Sequence, residues 1–274
     1  MRFLGVVALL VSGFLGPARA QTRDAASLVE RFPPGETLRY EARFGFVTIG
    51  GALMQVLGVD TIRAVPTLHI AFVIQGGTFF YRLNDRMDSW IGLADFASRR
   101  FIQDFDEGGK LRYAAYEIYP DSGFYRQQGV DTAATTSADP LDDAAFFYFV
   151  RTVPLEVGRR YEFHRYFRPD RNPVVLEVLG RDTIDVPAGR FPTVVIRPTI
   201  KGRGVLAEAS EPRMWLSDDQ RRVMVQLKTR FPFGTITFRL QRIEHQAAGE
   251  EVPPAPGARS SGSGGPLPGR WKLR

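Results

Sequence analysis

Three histidines, His69, His164 and His245, are the side chains best suited to acid–base or metal chemistry near neutral pH. None belongs to an HExxH motif or to another closely spaced pair, so their spacing predicts no metal centre. His69 and His164 fall on the less apolar faces of their predicted strands, which favours exposed or singly hydrogen-bonded histidines. Their convergence in three dimensions stays open as an alternative.

Other chemical motifs are few. The sequence has no cysteine, which excludes disulfides, thiolate nucleophiles and cysteine-bound zinc. It contains no GxSxG elbow, P-loop or GxGxxG motif within a predicted folded segment. The carboxylates of Asp104–Gly108 alternate as in a calcium loop but lack the closing glutamate, so a hairpin turn is the better interpretation. We therefore predict no catalytic residue, no metal ligand and no cofactor, and whether the protein is an enzyme stays open.

Aromatic residues make up 12% of the chain, and arginines precede two of its tryptophans. Such residues can bind an apolar or amphipathic ligand, with an arginine facing an anionic head group. The competing interpretation is that the aromatic side chains fill the core and that the two arginines pair with Asp85 and Glu211. The speculative ligand-binding residues are Tyr40, Phe44, Arg86, Trp90, Arg213 and Trp215.

The elements that would position these residues are strands. Apolar and polar residues alternate over Gly35–Phe46, as in a half-buried strand. Two β-branched runs within Val174–Ile200 flank a turn that contains Pro187 and Gly189, which predicts a hairpin. Three further strand-like runs follow within Met214–Ile243. The pattern predicts an all-β antiparallel meander.

The predicted strands form two similar halves. Leu57–Ile62 resembles Leu179–Ile184, and Arg86–Ile91 resembles Arg213–Leu216, in the same order along the chain. We predict one domain over residues 33–245 with repeat halves 33–138 and 154–245, in the form of a rolled sheet, a sandwich or a partly open barrel. Between the halves, residues 139–153 predict one short buried helix, with Asp139 as its cap and Pro154 after its end.

The ends of the chain differ from this domain. Met1–Ala20 has a basic start, an apolar stretch and an Ala-Arg-Ala site, which predicts a signal peptide cleaved after Ala20. An arm over residues 21–32, either a helical turn or a loose segment, precedes the domain. A Pro-, Gly- and Ser-rich tail over residues 246–274 is predicted to be disordered. We expect a periplasmic or secreted protein without a membrane span after cleavage.

Charges exclude one class of partner. The net charge is +6, but basic and acidic residues are nearly balanced and interspersed between residues 21 and 245. A nucleic-acid-binding protein needs a concentrated basic surface, so no nucleic acid is expected as a partner.

Several motifs together resemble the exported bacterial family named domain of unknown function 3108, over residues 33–243. Met224 departs from the proline expected there. The resemblance implies a periplasmic or envelope-associated β-protein, and it implies no reaction and no catalytic residues. The motifs are Gly35-Glu36 with Leu38 and Tyr40; Asp85-Arg86 with Ser89-Trp90; Asp139-Pro140-Leu141 with Phe146, Tyr148 and Arg151; Val186-Pro187-Ala188-Gly189; Trp215-Leu216-Ser217-Asp218-Asp219 with Arg222; and Pro232-Phe233-Gly234.

The sequence thus favours a non-catalytic envelope β-protein that binds a lipid, a glycan or a partner protein. Two alternatives stay open. One is a hydrolase whose site is assembled only in three dimensions. The other is a purely structural role in envelope assembly.

Overall fold

The computed structural model describes residues 25–78, 81–202, 204–231 and 234–245. Two helices, α1 (Ala25–Arg31) and α2 (Asp143–Phe149), accompany the sheet. The predicted signal peptide and tail lie outside the described residues, whereas the predicted arm contains α1. The strands are β1 (Glu36–Phe44), β2 (Val47–Ile62), β3 (Val65–Thr78), β4 (Tyr81–Gly92), β5 (Ser98–Glu107), β6 (Lys110–Tyr119), β7 (Phe124–Gln127), β8 (Ala134–Thr135), β9 (Arg160–Phe163), β10 (Val174–Val186), β11 (Gly189–Thr199), β12 (Arg213–Ser217), β13 (Met224–Phe231) and β14 (Gly234–His245).

All fourteen strands form one antiparallel sheet in the order β8-β7-β6-β5-β4-β3-β2-β1-β14-β13-β12-β11-β10-β9. The predicted all-β antiparallel fold is confirmed. The first strand pairs with the last, because Glu36 lies opposite His245 and Phe44 lies opposite Ile236. This pairing places the start and the end of the described chain in the middle of the sheet and leaves β8 and β9 as its edges.

The two edges approach each other through the segments that flank α2. Thr136 Oγ1 donates to the carbonyl of Phe167 at 2.7 Å, and Ser137 Oγ donates to that of Tyr166 at 2.8 Å. The chain therefore leaves the sheet at β8, passes through the interior as α2 and rejoins the sheet at β9. These contacts roll the sheet around the helix without closing its strand ladder.

The core lies between the inner face of the sheet and α2. Phe146, Phe147, Tyr148 and Phe149 are each at most 4% exposed. The ring of Phe147 lies 4.7 Å from that of Phe72 on β3. Since the helix supplies its aromatic side chains to the interior, the roll is filled by protein.

The helix begins later than predicted. Asp142, rather than Asp139, is its N-cap, and its Oδ1 accepts a hydrogen bond from the backbone N–H of Ala145 at 2.8 Å. Leu141 cannot join the helix, because its carbonyl accepts the N–H of Phe167 at 2.8 Å in a bridge between extended segments. The helix ends at Phe149 and continues as one 3₁₀ turn over Val150–Thr152.

The same hydrogen bonds occur in both halves of the sheet. The indole N–H of Trp90 donates to Asp60 Oδ2 at 3.0 Å, and that of Trp215 donates to Asp182 Oδ2 at 3.1 Å. Each aspartate carbonyl also accepts a threonine hydroxyl, at 3.1 Å in the first half and 2.9 Å in the second. A β-bulge precedes each aspartate in the chain. The two halves therefore resemble each other in these hydrogen bonds as well as in sequence.

Candidate functional site

The six residues proposed as a ligand site lie in three separate places. Tyr40 faces the interior, Phe44 stands at the end of β1, and Trp90 and Trp215 lie on the outer face of β4 and β12. Six strand spacings separate β4 from β12, about 29 Å along the sheet. The structure does not assemble the six into one pocket.

Trp90 is 8% exposed although it lies on the outer face, because neighbouring side chains cover it. The ring of His69 stacks on the indole with centroids 4.0 Å apart and planes 12° apart. The guanidinium of Arg100 lies 5.5 Å from the indole centroid. These contacts occupy both the hydrogen-bonding edge and the surface of the indole, so Trp90 offers little area to a ligand.

Arg86 pairs with Asp88 and not with Asp85. Successive residues of a strand point to opposite faces, so Asp85 faces inward whereas Arg86 and Asp88 share the outer face. Arg86 Nε and Nη2 donate to the two oxygens of Asp88 at 2.6 and 2.7 Å, and His69 Nε2 lies 2.9 Å from Asp88 Oδ1. Burial alone would raise the pKa of Asp88, but the hydrogen bonds from His69 and Arg86 outweigh it and lower that pKa.

Arg213 and Trp215 lie in the corresponding part of the second half. Strand register places Trp215 opposite Val195, as Trp90 lies opposite His69, so the position equivalent to Arg213 is that of Asp88 and not of Arg86. Lys228 covers the indole of Trp215 from 5.3 Å. The expected pairing of Arg213 with Glu211 is wrong, since Glu211 bonds to Arg230 at 2.8 Å. The charged cluster around Trp90 thus has no counterpart at Trp215.

Tyr40 is a core residue. Its side chain is 3% exposed, and its hydroxyl donates to the carbonyl of Met224 at 2.8 Å. Burial raises the pKa of this phenol well above its usual value. The competing interpretation, that the aromatic residues fill the core, therefore holds for Tyr40.

The described histidines do not assemble a nucleophilic site. His69 contacts Asp88 and Trp90, while His164 and His245 are exposed. In the described ranges, no hydroxyl group is hydrogen-bonded to a histidine. The same ranges contain no group of three or more His, Asp or Glu side chains arranged to hold a metal ion.

A buried polar cluster at the start of α2 combines a carboxylate with hydroxyl groups, as a catalytic site can. Its hydrogen bonds, however, fix the helix in place. Asp142 Oδ2 accepts the hydroxyl of Ser89 at 2.5 Å, and Ser98 Oγ accepts the N–H of Asp142 at 3.1 Å. All three residues are fully buried. Burial raises the pKa of Asp142 to about 7, against the lowering effect of its hydrogen bonds. Since no substrate can reach these atoms, the cluster fixes the helix to β4 and β5.

A buried ion pair that the sequence did not predict lies at the other end of the helix. Arg151 Nη1 donates to Glu36 Oε1 at 2.8 Å, and Arg221 Nη2 donates to Glu36 Oε2 at 3.1 Å. Burial would raise the pKa of Glu36, but the two guanidinium groups outweigh it and lower that pKa. The only signal in the sequence was a charged residue, Arg151, at the end of an apolar helical stretch. Its satisfied contacts make it a structural ion pair.

The concave surfaces of the described part are open to solvent. One, of about 470 Å³, is polar and is lined by Arg31, Asp218, Asp219, Gln220 and Arg222. A shallow groove of about 400 Å³ crosses β1, β2 and β3, and Tyr40 is among its lining residues. Neither concavity contains Arg86, Trp90, Arg213 or Trp215.

One group of adjoining exposed apolar side chains lies at one end of the sheet, and the sequence analysis did not single it out apart from Phe44. Other exposed apolar side chains, such as Leu111 at 77%, lie outside this group. In the β1–β2 turn, Phe46 is 96% exposed, Val47 63% and Phe44 42%. The β13–β14 turn lies beside it, since Phe44 pairs with Ile236, and Phe231 precedes that turn. We call residues 43–48, 81–83, 228–231 and 234–235 the hairpin end. The sequence signal was the alternation of phenylalanine around Gly45.

One unclosed antiparallel sheet rolled around a short helix defines a β-barrel-like protein. The chain belongs to the family described as Protein of unknown function (DUF3108), whose model matches residues 39–241. The family suspected from the sequence motifs is thereby confirmed. No curated protein matches the chain.

The chain is similar to several solved structures. A β-barrel-like protein of domain of unknown function 1849 from Brucella abortus has a TM-score of 0.51 at 9% identity, covering 77% of this chain and 98% of that one. A candidate lipoprotein from Parabacteroides distasonis has a TM-score of 0.34 at 11% identity, with coverage of 77% and 96%. A candidate exported protein from Bacteroides fragilis has a TM-score of 0.29 at 10% identity, with coverage of 77% and 95%. The similarity to the Brucella protein shows the fold alone.

Proposed function

We propose that this chain is an exported, non-catalytic β-protein that binds an apolar or amphipathic component of the cell envelope at its hairpin end. The observation that carries the proposal is the exposure of Phe46 and Val47, 96% and 63%, in a chain whose core side chains are fully buried. Large apolar side chains grouped at one surface mark an interaction site. The signal-peptide pattern of residues 1–20 supports export, although it lies outside the described residues.

The binding surface lies outside the roll. The aromatic side chains of α2 occupy the interior, so a ligand cannot enter there without displacing the helix. The tryptophans of the proposed ligand set are covered by charged neighbours, whereas Phe44, a member of the same set, stands at the hairpin end. Of the six residues first considered as a ligand site, we therefore retain Phe44, and we add Phe46 and Val47.

A role in envelope assembly is the second candidate, because the same exposed side chains can contact a partner protein. The arrangement of the histidines gives no support to a hydrolase, since each described histidine lacks a hydroxyl partner. In the part of the chain that the structure describes, neither helix has the length and apolar character needed to span a membrane.

Titration with dodecylphosphocholine below its critical micelle concentration tests the proposal. We expect amide chemical shifts to change at Phe44–Val47 and to stay constant around Trp90 and Trp215. Glycerophosphocholine, which has the head group without the acyl chain, is the control and should change neither region. An absence of shifts at the hairpin end, or shifts of equal size around the tryptophans, contradicts the proposal.

A further inference from the structure

We propose that the hairpin end docks on the surface of a bilayer that contains anionic lipid, with Phe46 and Val47 entering the interfacial layer. This inference rests on the proposed function, which it makes specific by naming the partner as a membrane surface. It follows from the alignment of three hairpins, from the exposure of the apolar side chains and from the sign of the charges around them.

The described strand ends of three neighbouring hairpins lie at a similar level. Phe44 lies opposite both Val47 and Ile236, so the β1–β2 and β13–β14 turns adjoin. On the other side, β3 continues only two residues past the Gly50–Gly76 pair, to Thr78. The three turns are successive along the sheet, two strand spacings apart, and so span about 19 Å. A row of level turns fits a flat surface better than it fits a pocket-filling molecule.

The side chains that project furthest from the described part of this end are apolar. Phe46 and Val47 point into solvent, and the ring of Phe44 closes over Gly234, where a Cβ atom would lie 2.5 Å from the ring. That packing gives the exposed pair a rigid base. In the sequence, the residues between β3 and β4 are Phe79 and Phe80, outside the described residues.

The charges around these side chains are of one sign. The described residues of the hairpin end include four basic residues, Arg43, Arg82, Lys228 and Arg230, and no acidic residue. Arg43 Nη2 donates to the carbonyl of Phe46 at 2.9 Å, which holds a positive charge directly beside the exposed turn. Arg230 also pairs with the exposed Glu211.

Apolar side chains surrounded by basic ones are what binds a peripheral protein to an anionic membrane. Arg43 and Arg230 already lie beside Glu41 and Glu211. Arg82 and Lys228 form no ion pair within the described ranges, and a neutral apolar partner would leave these two without counter-charges. The next hairpin along the sheet, β5–β6, contains both Asp106 and Glu107, so the region of single sign stops there. The complementarity of charge therefore favours an anionic bilayer over a protein or a neutral lipid surface.

Co-sedimentation of the full mature chain with vesicles tests the inference. The probes are vesicles of phosphatidylcholine alone and of phosphatidylcholine with phosphatidylglycerol, each at low and high salt. We expect binding to the anionic vesicles that weakens as salt rises. Replacing Phe46 and Val47 by serine should lower the partition coefficient at least about tenfold, because each buried apolar side chain is lost from the interface.

Matched control variants distinguish binding at the hairpin end from non-specific adsorption to the vesicles. The V59S/V157S double variant changes two residues that are 53% and 49% exposed and belong to other regions, and it should bind as the parent does. Among charges, R82Q should weaken binding to anionic vesicles, whereas R190Q, at the exposed start of β11, should not. All four variants change exposed side chains, and equal urea midpoints would verify their folding.

The outcomes are distinct. Equal loss in V59S/V157S, or partition that is independent of anionic lipid, overturns the docking proposal. If dodecylphosphocholine shifts the hairpin end but vesicles do not bind, docking is wrong and the proposed function stands. If neither the amphiphile nor the vesicles bind, both are wrong.

Discussion

Arg151 and Glu36 form an ion pair across 2.8 Å, with both side chains excluded from solvent. The arginine also lies 4.7 Å from the ring centroid of Phe32, which follows α1. One guanidinium thus joins the end of the central helix, the start of β1 and the residue after the N-terminal helix.

Breaking this pair should cost far more than replacing it. We expect Arg151→Met to lower the free energy of unfolding by at most about 3–5 kcal/mol, because the buried Glu36 then keeps only the partly exposed Arg221 as a counter-charge. The double variant R151M/E36L should recover much of that loss. Urea unfolding of the two variants measures the difference, and a double variant less stable than R151M would contradict the explanation.

Asp142 should make the protein less stable as the pH rises towards neutrality. Its pKa is raised to about 7 in the folded state, whereas an unfolded aspartate titrates near 3.9, so between these values the folded protein keeps a proton that the unfolded chain has released. The free energy of unfolding therefore falls as the pH rises through this window. In Asp142→Asn, whose Oδ1 can still cap the helix, this contribution should disappear.

Urea unfolding at pH 5 and pH 8 measures the effect. Asp85 is the comparison, because burial also raises its pKa to about 7, so Asp85→Asn should likewise remove part of the slope. Glu36 does not interfere, since its pKa is lowered from 4.5 and its stabilising contribution is lost only at lower pH. An unchanged slope in Asp142→Asn would show that Asp142 is already ionised at pH 5.

The two tryptophan–aspartate hydrogen bonds should contribute similar and independent amounts. We expect Asp60→Ala and Asp182→Ala each to destabilise the protein modestly and to a similar degree, through loss of the bond to the indole N–H. The sites are about 29 Å apart along the sheet, so the double variant should equal the sum within about 0.5 kcal/mol. A double variant that deviates by more would reveal coupling between the halves.

Gly76 should be intolerant of a side chain. A Cβ atom there would lie 2.5 Å from the carbonyl oxygen of Ile49, whereas a Cβ atom at Gly180 would have no neighbour within 4 Å. We expect Gly76→Ala to destabilise the protein by about 2 kcal/mol or more, through strain between β2 and β3. Gly180→Ala should be neutral or stabilising by about 0.4–1 kcal/mol. Thermal unfolding of both variants checks the contrast.

Local sequence patterns predicted most of the fold. Alternation with a period of two predicted strands such as β1. The recurrence of similar segments predicted two similar halves, whereas the matched tryptophan–aspartate hydrogen bonds were not predicted. The helix boundary was predicted three residues early, because an aspartate before a proline looks like a cap, whereas Leu141 is held extended by Phe167. Helix propensity depends on the local sequence alone, so it gives no information about this tertiary contact.

The site was harder to predict, because exposure and pairing depend on distant parts of the chain. Glu36 and Arg151 are 115 residues apart, and only the folded sheet shows that they meet. Trp90 was a candidate ligand-binding residue, but in the structure His69 and Arg100 cover its indole ring. Phe46 looked like the end of a strand, and the structure shows it standing almost free in a turn.

The pairing of β1 with β14 has a consequence for biogenesis. The central seam of the sheet joins the first strand to the last, so it cannot form until nearly the whole domain has emerged from the machinery that synthesises or translocates it. Contacts that are so distant in sequence slow folding. A chain whose central seam forms last would remain unfolded during translocation, which is compatible with the export that we propose.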